Sequence, residues 1–169
     1  SQVPADHKNT RIAIGLSKLA GDSIQQGMEW AQAQWKKNLG FTVELKPTEQ
    51  TVYLATLREN PPAIFRKGVG LDRSTCRAAV EIFSQGDPEN FIRLADSKYE
   101  GLLKKLSAAN SPAQAKQACS NAIRYLIDQA EIIPLGRIHF AMLAKESFNG
   151  WRVTPLNQLD LSRLRVVQK

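Results

Sequence analysis

Apolar positions along this 169-residue chain alternate between short runs and helical stripes. Residues 11–16 (Arg-Ile-Ala-Ile-Gly-Leu) read as a short buried strand. Ile24, Met28, Ala31, Trp35 and Leu39 then recur at spacings of 4, 3, 4 and 4, which makes one face of a helix. Gly40 stands where a helix ends in a left-handed residue, and Lys36 and Lys37 suit the negative end of its dipole. Phe41, Val43 and Leu45 alternate with Thr42 and Glu44 as a second strand, which Pro47 is expected to close. Strand, helix and strand in this order imply parallel strands joined by a right-handed crossover.

The pattern continues with a helix over about residues 49–60, the Pro61-Pro62 break, and Ala63-Ile64-Phe65 as a third strand. A glycine-bearing loop, Lys-Gly-Val-Gly-Leu-Asp-Arg-Ser-Thr over 67–75, separates it from Cys76, Ala79, Val80 and Phe83, which fall at i, i+3, i+4 and i+7 of a helix. Ser97 to Glu100 reads as a capping box before a Tyr99, Leu102, Leu103, Leu106 stripe. Ser111 with Pro112 and Gln114 starts a further helix that runs to about Glu131. Ile138, Phe140 and Met142 alternate as a strand, and residues 146–169 read as an extended arm. The division expected is a leader or linker over 1–10, an α/β lobe over 11–145 and the arm over 146–169.

Composition narrows the function classes. With 43% apolar residues the chain buries an ordinary core, and a domain near this length needs no metal or disulfide staple to fold. No run of about 18 apolar residues spans a membrane, and the first residues lack a signal-peptide pattern. The net charge of +7 permits an acidic partner without naming one. Lys36-Lys37 and Lys104-Lys105 fall on exposed faces of separate helices, so direct nucleic-acid binding is not expected.

Catalytic chemistry finds no constellation. His7 lies in the polar leader and His139 in the last strand, neither beside a base, nucleophile or metal-ligand pattern. The Gly68-Val69-Gly70 motif lacks the third glycine of a dinucleotide fingerprint, Arg73 standing in its place. No cofactor and no metal site is expected. Cys76 and Cys119 are read either as two independent buried thiols or as a disulfide pair, the latter favoured if the protein is exported.

The order of motifs resembles a known family. Trp35-Lys36-Lys37-Asn38-Leu39-Gly40 followed by a strand, then Glu49 and Tyr53-Leu54, is similar to the third-domain segment of bacterial oligopeptide-binding proteins, the family 5 solute-binding subunits of ABC transporters. Ser97-Lys98-Tyr99-Glu100 with Leu102-Leu103, and Ile132-Ile133-Pro134-Leu135, resemble two further family segments, so the likeness covers about residues 11–166. It implies a periplasmic-binding-protein type II-like fold of which this chain is a single lobe, with a mixed sheet flanked by helices and an arm returning to the missing N-terminal lobe. It also implies a non-enzymatic solute-binding role in peptide transport, a membrane permease as partner, and a periplasmic or extracellular location, lipid-anchored in the full-length protein. In isolation the arm is left to fold back, pair with a second copy, or stay mobile.

The family loop after the third strand carries an aspartate that binds a peptide α-ammonium, and Asp72 matches it, with Val69, Gly70, Leu71 and Arg73 around it. Val69 replaces a family tryptophan, Arg73 a tyrosine, and Thr75-Cys76 an Asp-Pro, so the loop has lost an aromatic and gained a cation. Asp72 is thus either a ligand carboxylate or a local cap or partner of Arg73, while Arg73 either neutralises it or faces a ligand carboxylate or phosphate. The alternative function is a ligand-sensing domain of a cytoplasmic transcription regulator, since similar modules are joined to DNA-binding segments in some bacteria.

Overall fold

The computed structural model describes residues 11–70, 73–135, 143–156 and 158–167. It divides into two compact units, Ser1–Val69 and Gly70–Lys169.

In the first unit β1 (Arg11–Ser17) is the centre of a three-stranded sheet of order β2-β1-β3, with β2 (Thr42–Thr48) and β3 (Ile64–Phe65) both parallel to it. Parallel strands require crossovers, and α1 (Asp22–Leu39) and α2 (Gln50–Glu59) supply them. The α1 stripe holds as far as Trp35: Met28 and Ala31 are buried beside Ile14, Leu16 and Val43, and Ile24 and Trp35 pack at the margin of that core, whereas Leu39, the last residue of the helix, is exposed. Gly40 ends α1 in the left-handed conformation, φ 75°, its N–H donating to the Lys36 carbonyl at 3.1 Å. Pro47 does not close β2; the strand runs through it to Thr48. β2 is an edge strand, where the missing N–H of a proline leaves no ladder bond unmade, and a proline there also discourages pairing with another chain.

The second unit is led by three helices that pack on one another, α3 (Cys76–Glu81), α4 (Ser97–Ser107) and α5 (Pro112–Asp128). Their shared core holds Val80, Leu94, Tyr99, Leu103, Leu106, Cys119, Ala122 and Leu126. The α4 cap differs from the expected box. Asp96, one residue earlier than Ser97, is the N-cap and its Oδ1 accepts from the Lys98 and Tyr99 N–H groups at 2.6 and 3.1 Å. A carboxylate has a second oxygen to offer, and Oδ2 accepts the Tyr125 hydroxyl at 2.7 Å, so one side chain ends α4 and ties it to α5. Hydrogen bonds from Tyr125 and from the Tyr99 and Lys98 backbone hold the Asp96 carboxyl below the usual range. Between α3 and α4 the chain turns around Asn90, whose amide donates to the Ser84 and Leu94 carbonyls while its oxygen accepts the Leu94 N–H. Ser111 caps α5 with Pro112 at its first position, as expected.

The arm folds back on itself. β4 (Phe148–Asn149) pairs antiparallel with β7 (Arg165–Val166), and inside that pair β5 (Arg152–Val153) meets β6 (Leu159–Asp160). Gly150, at φ 86°, sits between the two ladders, where a β-carbon would collide with the Arg163 carbonyl oxygen. Arg152 and Asp160, directly opposite, form an ion pair at 2.7 Å. The strand expected at Ile138 to Met142 lies outside the described residues.

Ala130 follows α5 at φ 58°, with the Glu131 N–H reaching back to the Leu126 carbonyl at 2.9 Å, the Schellman arrangement that favours glycine. Ala130→Gly therefore raises stability by about 0.5–1 kcal/mol, measured as a higher urea midpoint at unchanged slope.

Candidate functional site

Open parallel sheets gather ligands at the carboxyl ends of their strands, where loops and helix amino termini converge. In the first unit three segments make that rim. β1 ends in Ser17, which caps a short 3-10 turn, Lys18–Ala20. The buried Ser17 hydroxyl donates to Gln50 Oε1 and accepts the Leu19 N–H at 3.1 Å, joining the first segment to the second. After β2, Glu49 caps α2 by accepting from the Thr51 and Val52 N–H groups at 2.7 and 3.2 Å. Leu19 and Val52, at these two ends, are exposed apolar side chains.

The third segment is fixed by Tyr53. This side chain is buried under the sheet, and its hydroxyl donates to the Arg66 carbonyl at 2.6 Å while lying 3.1 Å from the Gly15 carbonyl. The Gly15 carbonyl also accepts the Arg66 N–H at 2.8 Å. Position 15 has to be small: a β-carbon there would lie 3.0 Å from Pro62 Cγ and 3.3 Å from Tyr53 Cε2. Burial pushes the Tyr53 phenol up to about 12, against the opposing charge of Arg66. The chain thus leaves the sheet at Arg66 with its backbone held from two sides. The Arg66 guanidinium runs alongside Gly68, Lys67 Nζ donates to the Gly68 carbonyl at 3.0 Å, Val69 is half-buried and Gly70 exposed.

Of the residues expected to bind ligand, Val69 is the last residue of the first unit, Gly70 begins the second, and Leu71 and Asp72 fall outside the described residues. Arg73 is exposed near the start of the second unit. The N-cap position of α3 is held by Thr75, whose hydroxyl accepts the Ala78 N–H at 3.2 Å. Arg66 and Lys67 add two cations to the same rim that the motif reading passed over. Their signal was an Arg-Lys pair directly after the apolar Ile64-Phe65.

Cys76 and Cys119 are joined as a disulfide, their α-carbons 6.3 Å apart. Cys119 is buried in the helical core but Cys76, the first residue of α3, is exposed, so the reading of two independent buried thiols does not hold. Of the stripe expected through Cys76, Val80 is buried and Phe83 packs against the same core, whereas Cys76 is exposed, and α3, which stops at Glu81, buries Ala78 as well. Among the described residues no three His, Cys, Asp or Glu side chains gather to hold a metal, and no helix is long and apolar enough to cross a membrane. His7 and His139 lie outside the described residues. A groove of about 490 Å³ runs between α1 and the outer edge of β2, and there Gln32 Nε2 donates to the Val43 carbonyl. That amide covers part of the open strand edge, a structural task.

This architecture, a parallel α/β sheet flanked by helices, is that of part of a periplasmic-binding-protein-like fold. The sequence matches no family model and no curated protein, whereas 26 chains of solved structures match it. The pheromone receptor PrgZ superposes with a TM-score of 0.77 at 21% identity, over 95% of this chain and 31% of that one. The murein tripeptide binding protein MppA of Escherichia coli gives 0.77 at 20%, over 94% and 31%. Haemophilus influenzae OppA, in complex with the peptide RPPGFSPFR, gives 0.75 at 19%, over 94% and 31%. The chain thus spans about a third of the length of the proteins it resembles.

Tyr53, Tyr99 and Tyr125 are the three tyrosines of the chain, and all are pushed above the ordinary value near 10, the first two foremost by burial and Tyr125 by its bond to Asp96. The unfolded chain ionises first, so stability holds below pH 10 and falls as pH rises through 10 toward 12. Absorbance titration of the folded protein will show Tyr53 ionising only near pH 12, with Tyr99 and Tyr125 displaced in the same direction from the ordinary value. Tyr53→Phe lowers stability by about 1–3 kcal/mol, read as a fall in the urea midpoint.

Proposed function

We propose that this chain is the C-terminal lobe, the third domain, of a solute-binding component of an ABC transporter that captures peptide-like solutes. The observation that carries the reading is the superposition of 94–95% of the chain on one part of peptide-binding proteins. The regulator alternative draws no support from these structures. The lobe is a non-enzymatic half of a trap: two lobes close about a hinge and exclude water from the solute between them. Loop 68–73 forms this lobe's wall. Asp72 pairs with a solute ammonium, and Arg66 and Arg73 offer guanidinium groups to a carboxylate, with Val69, Gly70 and Leu71 as the apolar and backbone surface between.

Its partners on this reading are the N-terminal lobe of the same protein and a membrane permease. The N-terminal lobe covers the arm, whose Phe148, Val153, Leu159 and Val166 stand exposed here. The location is periplasmic or extracellular, with a lipid anchor in the full-length protein, and the disulfide supports an oxidising compartment.

Calorimetry with a pool of di- to pentapeptides tests this. The full-length protein binds; Asp72→Ala in that protein weakens binding about tenfold to a hundredfold; the 169-residue chain alone gives no heat at the same concentrations, because half of the contacts are missing. Micromolar binding by the lobe alone, or unchanged affinity in Asp72→Ala, overturns the proposal.

A further inference from the structure

The two ends of α3 are held by different means. At its carboxyl end Val80 is fully buried and its carbonyl accepts the Tyr99 hydroxyl at 2.7 Å. At its amino end Thr75, Cys76 and Arg77 are exposed. There, among the described residues, Arg77 makes solvent-facing bonds to Glu81 at 2.6 Å and Ser107 at 2.7 Å, which add little. Six residues are too few to hold a helix by their own hydrogen bonds. Besides the Thr75 cap on the Ala78 N–H and the buried Ala78, that end has a covalent tie, the bond from Cys76 to Cys119, which is anchored in the core of α5.

We propose that the Cys76–Cys119 disulfide is a thiol-sensitive latch that pins residues 73–77, and with them the end of the candidate loop, to α5. The reductant is a dithiol. Its thiolate attacks the sulfur of Cys76, the exposed half, forming a mixed disulfide there while Cys119 leaves as a thiolate and takes up a proton. The second thiol of the reagent then closes on the first as a cyclic disulfide and releases Cys76 as a thiol, so two electrons and two protons pass to the protein. Once open, the amino end of α3 frays while Val80 and Tyr99 keep its other end seated. The latch is a property of this chain, whatever solute it binds.

Limited trypsin digestion followed by mass spectrometry tests it on the full chain, comparing oxidised protein, protein reduced with dithiothreitol and alkylated, and Cys76→Ser. Cleavage after Arg73 and Arg77 should rise about tenfold in the second and third samples, with cleavage after the exposed Lys104 and Lys105 of α4 unchanged. Reoxidation of unalkylated protein should restore resistance. Equal cleavage after Arg73 in all samples overturns the latch. So does a parallel rise after Lys104 and Lys105, which would make the bond a staple of the whole unit, and so do two titratable thiols in the protein before reduction.

Discussion

The hydroxyl of Tyr53 decides where the chain leaves the sheet. It is carried on α2, yet it meets the backbone of β1 at Gly15 and the residue after β3 at Arg66, so one phenol fixes a helix against two strands. β3 is only two residues long and pairs at just Ile64 and Phe65; without that extra anchor its carboxyl end would have little to define it. A buried hydroxyl that loses its partners costs more than the bond itself contributes. Gly15, Pro62 and Tyr53 therefore stand or fall together. The position of Arg66, Lys67 and the glycine loop after them is a consequence of that packing.

The second unit relies on the same device with different partners. Tyr99 lies wholly in the helical core and satisfies its hydroxyl on the Val80 carbonyl, while its ring stacks on Tyr125 with centroids 6.2 Å apart. Tyr125 in turn spends its hydroxyl on the carboxylate that caps α4. Local helix capping and tertiary packing are thereby one interaction, which makes the α4–α5 pair more cooperative than either helix alone. Cys119 enters the same core from α5 and extends it covalently to α3.

Much of this could be read from residue spacing because the signals were local. The α1 stripe up to Trp35, Gly40, and the Ser111-Pro112 start depend on neighbours within one or two turns, and they fall where expected. What escaped depends on residues far apart. Pro47 reads as a stop until the sheet order makes β2 an edge. Ser97 looks like a cap until Asp96 is found with a second partner 29 positions away. Arg66 and Lys67 carry no motif of their own; only the pairing of β3 with β1 puts them on the rim of the sheet. The arm was left open between three fates, and the Phe148–Val166 and Arg152–Asp160 cross-strand pairs explain why it closes on itself.

The fold of this chain accounts for about a third of each peptide-binding protein described above, and the rim of its parallel sheet carries the Arg66 and Lys67 cations. Of the charge surplus of +7, Arg66 and Lys67 stand directly after β3 at that rim. Native mass spectrometry of the full-length protein, purified from its host without added ligand, tests the central claim most directly. The account predicts a noncovalent passenger that dissociates on collision and sequences as a short peptide. A protein that repeatedly carries a nucleotide or a metal complex in its place would contradict it.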